Sequence, residues 1–385
     1  MIKYRIISTT SPSEKTIGYG YILDGIISFD YQKILSVLVL QKKDKFLSNS
    51  IADGKSIRVA KVLKYSGIGM SVITGSFNLV LLMLTKYSNV GKIKNKKNIK
   101  YILMTSGIEP INIMLIRKYN ILNYYMVDGI VDYYGDRSGI RKFAGTFMAY
   151  VIECMVIVSG IKNIILNSEY VKRRFQKRHN RLLKAFNVNI SVLQIGHDLV
   201  NSPLNINIQG ADLFTPYGLI YGNFDFVENM DGLVALSKSF DIEHAFINNA
   251  NLVIAGKNVI NISREYINKF EKYFPSVHIV DNPENIHIFI EKAEYIIIPS
   301  TNCNGPKIKI LECIMMNKTV YASGNCTKFF PKYFTNLISC KNNLLDIPYL
   351  LDKKMHQNNV NDDMATLRDS WSYKTRYLEF IDLLV

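Results

Sequence analysis

No histidine occurs before residue 179, and no two of the five cysteines (Cys154, Cys303, Cys313, Cys326, Cys340) are spaced C-x-x-C. The first absence removes imidazole from the N-terminal half as a base or metal ligand. The second, with an odd number of thiols, argues against a disulfide framework or a zinc site and favours a reducing compartment. Ten prolines and 22 glycines in 385 residues are too few for a collagen-like or low-complexity chain. The N-terminal stretch MIKYRIISTTSPSEK lacks the apolar core of a signal peptide. Unbroken apolar runs are also short. Residues 68–85 and 145–166 come nearest to a membrane span, but glycines interrupt the first, and Glu153, Gly160 and Lys162 the second. A spanning helix needs about 20 predominantly apolar residues, so each reads as a helix and strand pair buried in a soluble protein.

What the chain has instead is positive charge and alternating apolar patterning. Lysine and arginine total 47 against 32 acidic residues, a net charge of +15, which implies a polyanionic partner: nucleotide phosphates, anionic lipid headgroups or nucleic acid. Short runs rich in Ile, Val and Tyr recur at residues 4–8, 34–40, 100–105, 123–127, 163–166 and 191–195. A second series follows at 219–221, 252–255, 277–280, 295–298 and 319–322. Helical periods fill the gaps, for example at 231–240, 263–274 and 308–316. Such alternation specifies parallel sheets covered on both faces. Two series predict two Rossmann-like, doubly wound α/β domains, with a cleft where the carboxyl ends of their strands meet. The aperiodic stretch from Gly196 to Pro216, rich in Asn, is the linker candidate. The expected organisation is a first domain at 1–198, a linker at 199–216, a second domain at 217–370 and a C-terminal helix at 371–385 that crosses back to the first domain.

The most informative segment follows the fourth apolar run of the second series: Ile298-Pro-Ser300, a polar loop, then Gly305-Pro-Lys-Ile-Lys-Ile-Leu-Glu312. Pro306 is expected to open a helix, where its fixed φ and missing N–H are harmless, with Asn304 or Gly305 as the cap. The free N–H groups and positive dipole end of that helix suit a phosphate or diphosphate. Lys307 in the first turn opposes the dipole, which makes sense if an anion sits there, and Lys309 is close by on another face. Glu312, further along, is placed to accept from sugar or ribose hydroxyls. An ordinary amphipathic helix with solvated lysines would show the same residues.

This segment resembles the family 4 glycosyltransferases of the GT-B fold, whose second domain carries a Glu-x7-Glu signature. The matching pieces are Ile298-Pro-Ser300, Gly305, Glu312 and Thr319-Val-Tyr-Ala-Ser323, preceded by Gly218-Leu-Ile-Tyr-Gly222 and Asn251-Leu-Val-Ile-Ala-Gly256. The first Glu of the signature is Asn304 here, and the Arg and Lys that commonly follow the first strand are missing; Lys307 and Lys309 are candidates to supply that charge. In this the chain is similar to divergent polysaccharide-assembly members such as the xanthan glucuronosyltransferase. The resemblance implies a glycosyltransferase that moves a hexosyl or uronosyl group from a UDP- or GDP-linked sugar to a glycan or lipid-linked acceptor, with no cofactor or metal. Gly222, Asn304, Gly305, Lys307, Lys309 and Glu312 would then form the donor site. Gly18 and Gly20, in the loop after the first strand, and Glu109, after Thr105-Ser-Gly107, would lie on the acceptor side.

Inverting transfer needs a general base, and the first domain offers no histidine. Asp128 and Asp132, in Tyr124-Tyr-Met-Val-Asp-Gly-Ile-Val-Asp-Tyr-Tyr134, follow a strand and are the base candidates, Asp128 first; helix capping by one of them is the plainer alternative. The stretch Glu169–Phe186 reads as a helix with one apolar face (Val171, Phe175, Leu182, Phe186) and an otherwise basic surface, and a second basic cluster spans Lys92 to Lys100. These suit an enzyme in the cytoplasm, peripheral at the anionic inner face of a membrane. Charge alone would also permit nucleic acid, but no recognised binding motif occurs. A dinucleotide-dependent oxidoreductase would need G-x-G-x-x-G directly after a strand, and none is present.

Overall fold

The computed structural model describes residues 3–8, 34–41, 57–61, 99–105, 116, 121–126, 139–194, 196, 214–243, 250–300, 306–331, 338–339, 347 and 369–383. The chain divides into two compact units, one of residues Met1–Gly196 with Ser372–Val385, the other of His197–Trp371.

The first unit contains strands β1 (Lys3–Ser8), β2 (Ile34–Gln41), β3 (Ile57–Lys61), β4 (Ile99–Thr105), β5 (Asn123–Met126), β6 (Asn163–Leu166) and β7 (Asn189–Val192). They form one sheet in the order β3-β2-β1-β4-β5-β6-β7, and all its pairings are parallel. Helix α1 (Gly139–Val158) connects β5 to β6, and α2 (Glu169–Phe186) connects β6 to β7. Right-handed crossovers between successive neighbours put both helices on one face of the sheet. Ser168 caps α2 by accepting from the Val171 amide, and Asn187, in the left-handed region at φ 50, ends it.

The buried face of α2 is Val171, Phe175, His179 and Leu183, not the Val171, Phe175, Leu182 and Phe186 expected from hydropathy. His179 enters the core because Glu153 of α1 meets its Nε2 at 2.6 Å and Tyr150 stacks on its ring. With the imidazole inside, Phe186 rotates out and is exposed.

The second unit contains β8 (Tyr217–Asn223), β9 (Asn251–Lys257), β10 (Val277–Asp281), β11 (Tyr295–Ile298), β12 (Thr319–Ala322) and β13 (Ile338–Ser339). Their order is β10-β9-β8-β11-β12-β13, again wholly parallel. Its helices are α3 (Val227–Glu243), α4 (Arg264–Phe270), α5 (Ile286–Lys292), α6 (Ile308–Met315) and α7 (Gly324–Thr327). The core between sheet and helices is built on Ile220, Leu233, Leu236, Phe240, Ile254, Phe270 and Phe274, with Phe240 edge-on to both other phenyl rings. The last helix, α8 (Tyr373–Leu383), belongs to the first unit.

Each apolar run of the sequence coincides with or overlaps a strand. The run expected at 191–195 is paired two residues earlier, and β3 and β13 are additional. The stretch at 145–166 is α1 followed by β6, and none of the described helices is long and apolar enough to cross a membrane. Cys326 is disulfide-bonded, a departure from the expectation of reduced thiols throughout; Cys154 and Cys313 are free.

Candidate functional site

In a doubly wound sheet the crossover direction reverses between two adjacent strands, and ligands bind beyond the carboxyl ends of that pair. In the second unit the pair is β8 and β11. A pocket opens at this point, lined by Ile220, Tyr221, Phe224, Asn229, Ile298, Pro299, Ser300 and Lys309.

Two glycines let the parts converge. A Cβ on Gly232, in α3, would lie 1.3 Å from the Pro299 carbonyl oxygen, so only glycine lets α3 approach the end of β11 this closely. A Cβ on Gly222 would lie 2.3 Å from Lys309 Nζ and would displace the ammonium. Gly222 thus contributes the space that the Lys309 ammonium fills.

Lys309 reaches back from α6 across the end of β8. Its Nζ donates to the Tyr221 carbonyl at 2.8 Å and to Asn229 Oδ1 at 3.3 Å, and lies 5.4 Å from the Tyr221 ring centroid. Asn229 is itself held, its Nδ2 donating to the Asn223 carbonyl at 2.6 Å. Among the described residues no carboxylate pairs with this ammonium. Burial, reinforced by repulsion from Lys307 and only partly offset by Glu312, Cys313 and Glu228, lowers its pKa to about 8.

Lys307 behaves differently. It is the N-cap of α6, with extended backbone at φ −82 and ψ 110, so the helix begins at Ile308 and Pro306 precedes it rather than opening it. Lys307 Nζ pairs with Glu228 Oε2 at 2.6 Å. An acidic side chain in the first turn of α3 thus occupies the lysine expected to meet a ligand anion.

Glu312 is almost enclosed, and both oxygens are engaged. Oε2 accepts from the Tyr221 hydroxyl at 2.6 Å, and Oε1 meets His287 Nε2 at 2.7 Å. The hydrogen bond to Glu312 raises the His287 pKa despite the opposing effect of burial. A raised folded-state pKa gives stability that is full below the ordinary histidine value and is lost as pH rises through the higher one. Glu312→Gln should therefore move the His287 titration downward in NMR and flatten the dependence of Tm on pH in that window. An unchanged titration would mean that Glu312 does not hold the imidazolium.

The structure brings Gly222, Lys307, Lys309 and Glu312 to the same end of the sheet. Asn304, Gly305, Gly18, Gly20, Glu109, Asp128 and Asp132 lie outside the described residues. The sequence reading missed Tyr221, Asn229 and His287. The only signal for Tyr221 and Asn229 was their place in and just after the first strand of the second series, and His287 opens the helix that follows the third.

The fold is that of the GT-B glycosyltransferases. The trehalose-6-phosphate synthase of E. coli bound with UDP-2-fluoro glucose superposes with a TM-score of 0.64 at 9% identity, over 99% of each chain. The α,α-trehalose 6-phosphate synthase of Burkholderia multivorans gives 0.64 at 8% identity, over 100% of this chain and 96% of the other. A glycosyltransferase of Rickettsia africae gives 0.56 at 12% identity, over 99% and 97%. No protein-family model and no curated protein sequence matches the chain.

Proposed function

We propose that this chain is a glycosyltransferase that takes a hexosyl or uronosyl group from a UDP- or GDP-linked sugar and passes it to a glycan or lipid-linked acceptor. The observation that carries the reading is the half-buried Lys309 ammonium, which pairs with no carboxylate among the described residues, in a pocket at the switch point of the second sheet. Partial burial costs a cation part of its hydration unless an anion joins it, and a nucleoside diphosphate at this position would do so. The start of α6 would add free amide donors and a favourable dipole. The fold shared with synthases studied with UDP-2-fluoro glucose and with glucose-6-phosphate supports a nucleotide-sugar donor and a sugar acceptor. The signature pieces around Ser300 and Glu312 support a divergent relation to family 4 and its polysaccharide-assembly members.

Lys309 would contact the diphosphate, with Lys307 joining once Glu228 releases it. Glu312 would position the donor through Tyr221 and His287 or through hydroxyls it meets directly. No step requires a bound metal if the lysines and α6 carry the phosphate charge, and activity should then persist in EDTA.

Thermal-shift and calorimetric titration with UDP, GDP, NAD and a DNA oligomer tests the reading, since a ligand specific to the folded state raises Tm. A response to UDP or GDP alone is expected; a response to NAD or DNA alone would overturn it. Lys307→Ala should weaken nucleotide binding by ~1–2 kcal/mol, the worth of a partly exposed charge-assisted bond. Glu228→Gln, which frees the ammonium, should tighten it. Glu312→Gln should lower turnover even above the pH window in which His287 titrates, where its effect on Tm should be small, and full activity in that variant would leave Glu312 a purely structural group.

A further inference from the structure

The outer surface of α1 and α2, remote in sequence from the pocket, has a composition the chain itself does not explain. The inner face of α1 is Ala149, Ile152, Val156 and Ile157, all buried. Its opposite face carries Phe147, Tyr150, Val151, Cys154, Met155 and Val158, without a single charge. Phe147 is 58% exposed, Met155 44% and Tyr150 41%. A helix apolar on all sides belongs in a core or against a partner. The only charged residue of α1 after Lys142, Glu153, is turned inward onto His179 and Arg178.

Beside it, α2 presents the reverse. Lys172 pairs with Glu169, and Arg178 with Glu153. Arg173, Lys177, Arg181 and Lys184 are exposed and make no ion pair among the described residues. At spacings of four, four and three residues they form one stripe along the helix, about 16 Å long at 1.5 Å per residue, directly opposite the buried face. Like charges at this spacing weaken a helix, and no acid among the described residues pairs with them. The contacts of Tyr150 and Glu153 with His179 fix the two helices side by side, so the apolar face and the cationic stripe are neighbours on one surface.

We propose that this surface docks on an anionic lipid bilayer, with Phe147, Tyr150 and Met155 entering the headgroup boundary and the α2 stripe meeting lipid phosphates. Shallow apolar insertion flanked by cations is the chemistry of interfacial helices, and no described helix is suited to spanning. RNA would satisfy the stripe but not the aliphatic Val151, Met155 and Val158. A second copy of the chain would cover the apolar face, but a symmetric pairing would bring two cationic stripes together.

The test is co-sedimentation of the full chain with vesicles of phosphatidylcholine alone or with about a third phosphatidylglycerol, at low and high salt. Binding to the anionic vesicles only, reduced by salt, is expected. Lys177→Gln with Arg181→Gln should lower the partition coefficient about 25-fold, five-fold for each cation lost. Phe147→Ser should lower it about tenfold. All three side chains are exposed, so Tm and nucleotide affinity should be unchanged, which keeps a failure here separate from a failure of the sugar-transfer reading. No binding to anionic vesicles, or wild-type binding by the double variant, overturns the proposal. So does an RNA oligomer that outcompetes the vesicles and is indifferent to Phe147→Ser, or a stable dimer that Phe147→Ser dissolves in the absence of lipid.

Discussion

Replacing Lys309 by Met should weaken UDP binding roughly 30- to 150-fold, the equivalent of ~2–3 kcal/mol for a hydrogen bond to a charged group. Methionine keeps the length and apolar stem of lysine and removes only the ammonium, so α6 should stay in place. The pH dependence gives a second readout. Lys309 holds its proton up to about 8; above that the wild-type affinity should fall, approaching tenfold per pH unit, while that of the methionine variant stays flat between pH 7.5 and roughly 9.5. The facing groups do not titrate in competition: burial pushes the Cys313 thiol and Tyr221 hydroxyl upward, out of this range. Stability should move the opposite way. Between about 8 and 10.5 the unfolded chain binds the lysine proton that the folded chain has released, so folding stability rises with pH across that interval. The methionine variant should lack the rise. Equal UDP affinity in the two proteins, measured by calorimetry, would remove Lys309 from the donor site.

Asp128→Asn should lower kcat by about 10²–10⁴-fold, the usual contribution of a general base, while UDP binding survives. Asp128 follows β5 by two residues in a unit with no histidine before residue 179, and the proposed donor contacts belong to the other unit. Asp132→Asn is the companion variant. A larger loss there would exchange the two roles. Near wild-type turnover in both would remove the carboxylate base and favour transfer with retention, the course studied in one of the trehalose-6-phosphate synthases that share the fold.

Much of the fold was legible because parallel strands buried on both faces must be continuous apolar runs, and eleven such runs punctuate the sequence. β3, Ile57-Arg-Val-Ala-Lys61, escaped because it is a sheet edge whose Arg58 and Lys61 read as surface. β13 has two residues, too few to carry a pattern. Within the site, Lys307, Lys309 and Glu312 share one helix and its preceding turn, so local spacing revealed them together. Their partners did not come with them. Lys309 meets Asn229 across 80 positions, and Glu312 meets Tyr221 across 91; only the strand order, which brings β8 beside β11, makes them neighbours. The charge state was hidden for the same reason. Lys307 and Lys309 look alike in sequence, yet one is neutralised by Glu228 and the other, half-buried, pairs with no carboxylate among the described residues.

Helix α6 has eight residues, and Ile310, Leu311, Cys313, Ile314 and Met315 are all buried. Those anchors leave the helix no slack: it can neither roll nor slide without opening the core. Lys309 and Glu312 are therefore aimed by the packing of their neighbours, and the entropy of ordering them is spent when the chain folds, not when a ligand arrives. Such a recognition element is rigid from the outset. Retuning it for a different anion would demand substitutions in the interior of the unit, where volume is tightly constrained, rather than on its surface.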